Sequence, residues 1–213
     1  MAEPAHDLGT RPRRTQAERR ATTRAALLDA ALVSLVEDGY GSITTRGIAE
    51  RAGVSQGTQQ HYFATKADLV VEAMRHATEQ IAHDVGQRVR LSAVADPAQH
   101  EAFLEELWRV HQSLAFRAAL ELWIAARTDD ELRRHMRGLE RDIGTLLRRT
   151  AAPVLPDLEQ RTQVLELLDV ALAAIRGFAT LAPVVPAATL ERRWAIARPH
   201  LAAVLRAHTE TPA

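Results

Sequence analysis

Residues 44–66, TTRGIAERAGVSQGTQQHYFATK, read as two short helices joined by a tight corner. Ile48, Ala49 and Ala52 fall three and four apart, so they share one face of a first helix. Gly53 ends that helix, because a residue without Cβ can take the left-handed conformation that a sharp corner requires. Val54 plugs the corner, and Ser55 can cap the next helix by accepting from its orphan amides. That second helix, about residues 56–63, is polar except at its end. Gln56, Thr58, Gln59, Gln60 and His61 offer donors and acceptors rather than charge or grease. Such a surface suits base edges in a DNA major groove.

The same block resembles the helix-turn-helix of the TetR family of bacterial transcription regulators. The family pattern is met by Thr45, Ile48-Ala49, Ala52-Gly53-Val54-Ser55, Gly57-Thr58, Tyr62-Phe63 and Lys66. Gln59 and Gln60 depart from it, standing where the family more often has Leu and Tyr. The resemblance implies an all-α protein. It also implies an N-terminal three-helix DNA-binding domain and a C-terminal helical domain for ligand binding and dimerisation.

Within the block, positioning residues separate from reading residues. Thr45 and Arg46 open the first helix and can bind phosphate through hydroxyl, guanidinium and helix amides. Tyr62 and Lys66 are expected to clamp phosphate on the other side. Gln56, Thr58, Gln59 and Gln60 are the candidate readers, since Gln pairs with adenine and the Thr methyl can meet a thymine methyl. His61 and Ser55 complete the candidate DNA-binding set.

Outward from this block, the chain of 213 residues with 46% hydrophobic residues is long enough for one generous domain or two small ones sharing a core. Formal net charge is zero, but Arg11, Arg13, Arg14, Arg19, Arg20 and Arg24 cluster early while acids such as Glu101, Glu105, Glu106, Asp129, Asp130 and Glu131 come later. That gradient fits a chain touching phosphate with one end only. There is no cysteine, hence no disulfide framework and no thiolate chemistry. No secretory segment and no apolar run of about eighteen residues is present, so cytoplasmic residence is expected.

In chain order, residues 1–14 form a basic arm without apolar period. Thr15 with Glu18 has capping-box spacing and opens a helix whose stripe is Leu28, Ala31, Leu32, Leu35 and Val36, ending near Gly39. Residues 15–66 make the DNA-binding unit and 67–213 the remainder. Thr65 and Asp68 open a long helix to about Leu91, followed by a small-residue break over 92–96. Asp96 with Pro97 starts another helix, and one more spans about 114–127. Thr128 with Glu131 is a second capping box, for a helix stopped by Pro153 and Pro156. Asp157 caps a strongly apolar helix to about Leu181, and a last one runs over about 188–208 across Pro199. No strand signal appears, giving about nine helices.

Residues 92–213 carry no motif. The family resemblance implies a small-molecule pocket among the middle helices, with Phe103, Trp108, His111, Phe116, Trp123 and Phe178 as candidate lining. His111, Arg117 and Arg176 are candidate polar fixings. The last two helices bear more apolar residues than one stripe needs, which points to an isologous dimer through Leu165, Leu168, Leu172, Ile175, Trp194 and Leu201.

The function read from these features is a ligand-responsive repressor, a homodimer on a palindromic operator, with no cofactor. Enzymatic signatures are missing: no Gly-rich phosphate loop follows a strand, and no G-x-S-x-G or Ser-x-x-Lys context occurs. One alternative is a metal-responsive regulator or helical metal-binding protein using His76, Glu79 and His83, which share a helix face. Another is a helical interaction protein that no longer binds DNA.

Overall fold

The computed structural model describes residues 15–88, 96–151 and 158–209, and these form nine α-helices and one 3-10 turn. The arm of residues 1–14, residues 92–95 of the small-residue break, Pro153, Pro156 and the Asp157 cap lie outside the described residues.

α1 (Gln16–Ser42) starts as its capping box requires. Thr15 accepts from the Glu18 amide at 3.2 Å, and Glu18 accepts from the Thr15 amide at 2.8 Å. Its helical run breaks at Gly39 (φ 72°, ψ 155°), and the chain then makes one more turn to Ser42. The stop foreseen at Gly39 is therefore a kink, because the Ile43 amide still reaches the Gly39 carbonyl at 3.3 Å.

α2 (Thr45–Arg51) is capped by Thr44, which accepts from the Gly47 amide. It ends in a Schellman turn: the Gly53 amide bonds the Glu50 carbonyl and the Val54 amide bonds the Ala49 carbonyl, with Gly53 at φ 70°. α3 (Gln56–Tyr62) follows directly, capped by Ser55. α4 (Lys66–Arg88) has the reciprocal Thr65 and Asp68 cap.

After Asp96, which accepts from the Ala98 amide, a 3-10 turn (Pro97–Gln99) leads into α5 (His100–Val110). α6 (Leu114–Ala125) is capped by Ser113. α7 (Asp130–Ala151) corrects the expected cap. Asp129 accepts from the Leu132 amide at 2.9 Å, whereas the Thr128 hydroxyl points back to the Ala125 carbonyl. α8 (Leu158–Ala179) and α9 (Ala187–Thr209) complete the chain, and α9 carries Pro199 inside it without ending.

Two apolar clusters organise the helices. The first joins α1, α2, α4, α6 and α7 through Leu27, Leu28, Leu35, Ile48, Leu69, Val70, Leu122 and Leu132. The second joins α5, α6, α8 and α9 through Leu104, Trp108, Phe116, Ala171, Ile175, Leu190 and Trp194. α6 is the shared wall: Ala115, Ala118, Ala119 and Leu122 face the first cluster and Phe116 the second.

Burial here also corrects the dimer expectation. Ile175 and Trp194 are 0% and 1% exposed within a single chain. Trp194 stacks on Trp108 at 5.3 Å and donates its indole N–H to Glu105 at 2.9 Å. Both side chains are enclosed by the chain's own core. Leu165, Leu168, Leu172 and Leu201 remain only partly covered.

Candidate nucleic-acid interface and an internal cavity

The corner at Gly53 sets the orientation of α3, and its side chains divide by what lies beneath them. Gln56, Gln60 and His61 are exposed; Thr58 is half-buried. Ser55 Oγ accepts from the Thr58 amide at 3.1 Å and shares a hydrogen with Thr58 Oγ1 at 2.8 Å, so this hydroxyl pair is preset before any ligand arrives. At the start of α2, Thr45 is half-exposed. The Arg46 side chain is 73% exposed and bonded to Glu50 at 2.9 Å, which pushes the guanidinium pKa further up. Arg51, which the sequence reading passed over, bonds Glu37 at 2.7 Å and pins α2 to the end of α1.

Three expected DNA contacts are placed differently. Gln59 is 1% exposed, with its Nε2 donating to the Phe63 carbonyl at 3.2 Å and its Oε1 left without a partner. It packs inward and is a core residue, not a base reader. The Lys66 ammonium donates to the Tyr40 and Ile43 carbonyls and lies over the Tyr40 ring, so it is committed to the α1–α2 junction rather than held out for phosphate. The Tyr62 hydroxyl donates to the Arg20 carbonyl at 3.3 Å and docks α3 on α1. Arg24 is likewise engaged, in an ion pair with Glu72 of α4.

A cavity of about 150 Å³ lies between α4, α5, α6, α7 and α8. His111, Phe116 and Trp123 line it, together with Arg176. Phe103, Trp108 and Phe178 do not. Phe103 packs with Val164, and Phe178 meets the Trp108 ring edge-on at 6.5 Å, so these are core positions. Arg117 is exposed and takes no part in the lining. Met74, Ile81 and Met136 line the cavity too.

His111 Nδ1 sits 2.7 Å from the Leu107 carbonyl. A carbonyl only accepts, so Nδ1 carries the hydrogen. Burial lowers the His111 pKa and the nearby Arg176 charge adds to that, against an opposing contribution from the Leu107 bond. These contributions together favour the neutral ring. His76 is hydrogen-bonded to Gln80, and among the described residues no three His, Asp or Glu side chains converge to hold a metal ion. Among the same residues, no helix is long and apolar enough to cross a membrane.

Comparison with known proteins adds an independent line. Residues 27–73 match the family model described as bacterial regulatory proteins, tetR family. The chain is 34% identical over 132 residues to the HTH-type transcriptional regulator CymR of Pseudomonas putida, covering 62% of this chain and 63% of CymR. It is 35% identical over 115 residues to the HTH-type transcriptional regulator BetI of Cronobacter sakazakii, covering 52% of this chain and 56% of BetI. The matches thus span less than two thirds of these relatives. Among solved structures, the multidrug binding protein EbrR complexed with ethidium shares the fold, with a TM-score of 0.55 and 24% identity over 87% of this chain and 97% of that one.

Proposed function

We propose, from the match of residues 27–73 to the model of the tetR family of bacterial regulatory proteins, that the chain is a sequence-specific DNA-binding transcriptional regulator of that family. In this reading it is a ligand-responsive repressor, acting as a homodimer on a palindromic operator. The observation that carries it is the α3 surface: Gln56, Gln60 and His61 stand exposed on a helix fixed by a glycine corner and by inward-packed Gln59 and Phe63. Gln56 and Gln60 read bases, Thr58 supplies a methyl, and Thr45 and Arg46 position the head on phosphate.

Residues 15–66 form the reading head and 67–213 the ligand-binding and dimerisation part. α4 belongs to both. Its Leu69, Val70 and Ala73 are fully buried in the core shared with α1, while Met74, Thr78 and Ile81 line the cavity. A ligand in the cavity acts on α4, changes the separation of the two heads, and spoils their fit to half-sites about 34–36 Å apart. The ligand must bind the DNA-incompetent arrangement more tightly, since equal affinity shifts nothing. EbrR, captured with ethidium, is a precedent on the same fold for a bound small molecule.

The test is selection of random DNA fragments by the purified chain, followed by sequencing. An inverted repeat is expected. Recovery of no preferred sequence at low ionic strength would overturn the reading.

A further inference from the structure

We propose that the cavity takes a single-ring aromatic carboxylate, with its carboxylate on the Arg176 guanidinium and its ring against Phe116 and Trp123. This rests on the ligand-responsive reading above and names the chemical class of the ligand.

The first observation is a cation in the cavity wall with no acid paired to it among the described residues. Arg176 enters the cavity wall from α8, and its Nε is enclosed without any hydrogen-bond partner. Its guanidinium lies 5.3 Å from the centroid of the Trp123 ring. A buried N–H left unsatisfied is costly, and more so on a charged group. The other charged lining residue, Glu140, is exposed and accepts the Trp123 indole N–H at 3.1 Å, and among the described residues it forms no ion pair with Arg176. Arg176 thus brings a positive charge to the cavity wall with no acid paired to it among the described residues, and a carboxylate fits a guanidinium fork in two parallel bonds.

Size and wall chemistry fix the rest. About 150 Å³ is the scale of an apolar cavity that accommodates benzene, well below a drug-sized site. Phe116 meets Trp123 edge-on at 5.9 Å and lies 4.8 Å from the His111 ring, leaving aromatic faces and edges for a flat ligand. A phosphate or a dicarboxylate would bring more charge than one guanidinium can answer. An organic cation would sit beside an unpaired positive group.

The experiment is calorimetric titration of the DNA-free full chain with benzoate, 4-methylbenzoate, benzamide and benzylamine, with tryptophan fluorescence as a second readout. The ring carboxylates are expected to bind and perturb the Trp123 emission, with benzamide weaker by about tenfold or more and benzylamine without effect. Arg176→Met should lose about tenfold or more in benzoate affinity while keeping its benzamide affinity, and Arg176→Lys should fall between. Undiminished benzoate binding by either variant would overturn the proposal, as would a preference for benzamide or benzylamine, or no ring carboxylate bound at millimolar concentration. DNA selection on the same preparation separates the two readings. Selected DNA without carboxylate binding removes only the ligand class, and carboxylate binding without selected DNA removes the regulator.

Discussion

The Lys66 ammonium lies 2.9 Å from the carbonyl oxygen of Tyr40 and 4.1 Å from the centroid of the same residue's ring. One cation thus closes the last turn of α1 and covers the aromatic side chain beneath it. It sits at the first position of α4, so the contact ties the start of that helix to the α1–α2 junction.

Lys66→Ala should therefore act on stability first. Loss of a charge-assisted bond and a cation–π contact predicts a cost of about 1–2 kcal/mol, a fall of a few degrees in Tm. The salt slope of DNA affinity should stay as in the parent, because Lys66 is not held out for phosphate. Arg46→Ala should instead flatten that slope by about 0.9. A salt series on one selected fragment, run beside thermal melts, checks both; a flattened slope with an unchanged Tm for Lys66→Ala would reverse the assignment.

Gln59 and Gln60 are adjacent in sequence but should behave oppositely. Gln59 is enclosed with an orphan Oε1, so Gln59→Leu trades one hydrogen bond to the Phe63 carbonyl for relief of an unsatisfied acceptor and gain of apolar burial. The expected change in stability is within about 1 kcal/mol of zero, and the selected DNA sequence should not change. Gln60→Ala should leave Tm in place and alter base preference at one position in each half-site. Repeating the fragment selection with both variants decides this: a new consensus for Gln59→Leu would mean its side chain turns outward on DNA.

What could be read in advance followed from how local each feature is. The Gly53 corner and the caps at Thr15, Ser55 and Thr65 are set by residues within a few positions, and they stand where spacing put them. At Thr128 and Asp129, two good capping residues adjoin, and local spacing favoured the wrong one. Asp129 also accepts from Tyr40, far away in the chain, which no pattern reveals. Gln59 was misplaced because a seven-residue helix is too short for hydropathy to fix its rotation when a polar residue occupies an inward position. Ile175 and Trp194 failed for another reason. Periodicity shows that a side chain is covered, not whether its own chain or a second copy covers it. Half of the expected cavity lining was misplaced on the same ground, since aromatic residues at helical spacing serve cores and cavities alike.

The Tyr40 hydroxyl donates to Asp129 at 3.1 Å, linking the end of α1 to the start of α7. Burial, then the Asp129 charge and the hydrogen bond to it, push the Tyr40 pKa up to about 12 from 10.0. The folded state thus holds this proton where the unfolded chain has released it. Its contribution is complete below pH 10 and is lost as pH rises toward about 12, on the order of 2 kcal/mol. For Asp129 the sign reverses. Its pKa is lowered, chiefly by the Leu132 amide, so its contribution is present above the ordinary carboxylate value of 3.8 and fades in stronger acid. Denaturant melts across alkaline pH should show a shallower decline for Tyr40→Phe than for the parent; parallel declines would leave the hydroxyl without this role.

The corrected core moves the expected dimer contact to other residues of α8 and α9. Val170 is 61% exposed and Ile196 is 67% exposed, each on the side of its helix turned away from Ala171, Ile175 and Trp194. Large apolar side chains left open on the two helices proposed to pair are the natural contact, on the opposite face of α8 from the half-covered Leu168 and Leu172. Val170→Asp combined with Ile196→Glu should yield a folded monomer, because neither position supports the subunit core. Trp194→Ala should instead lower stability by about 3–5 kcal/mol through the cavity it opens beside Trp108. Light scattering coupled to size exclusion, with circular dichroism on the same samples, separates the outcomes. A double variant that stays dimeric at micromolar concentration would place the two-fold axis elsewhere, and one that unfolds would mean that this face is closed by the chain itself.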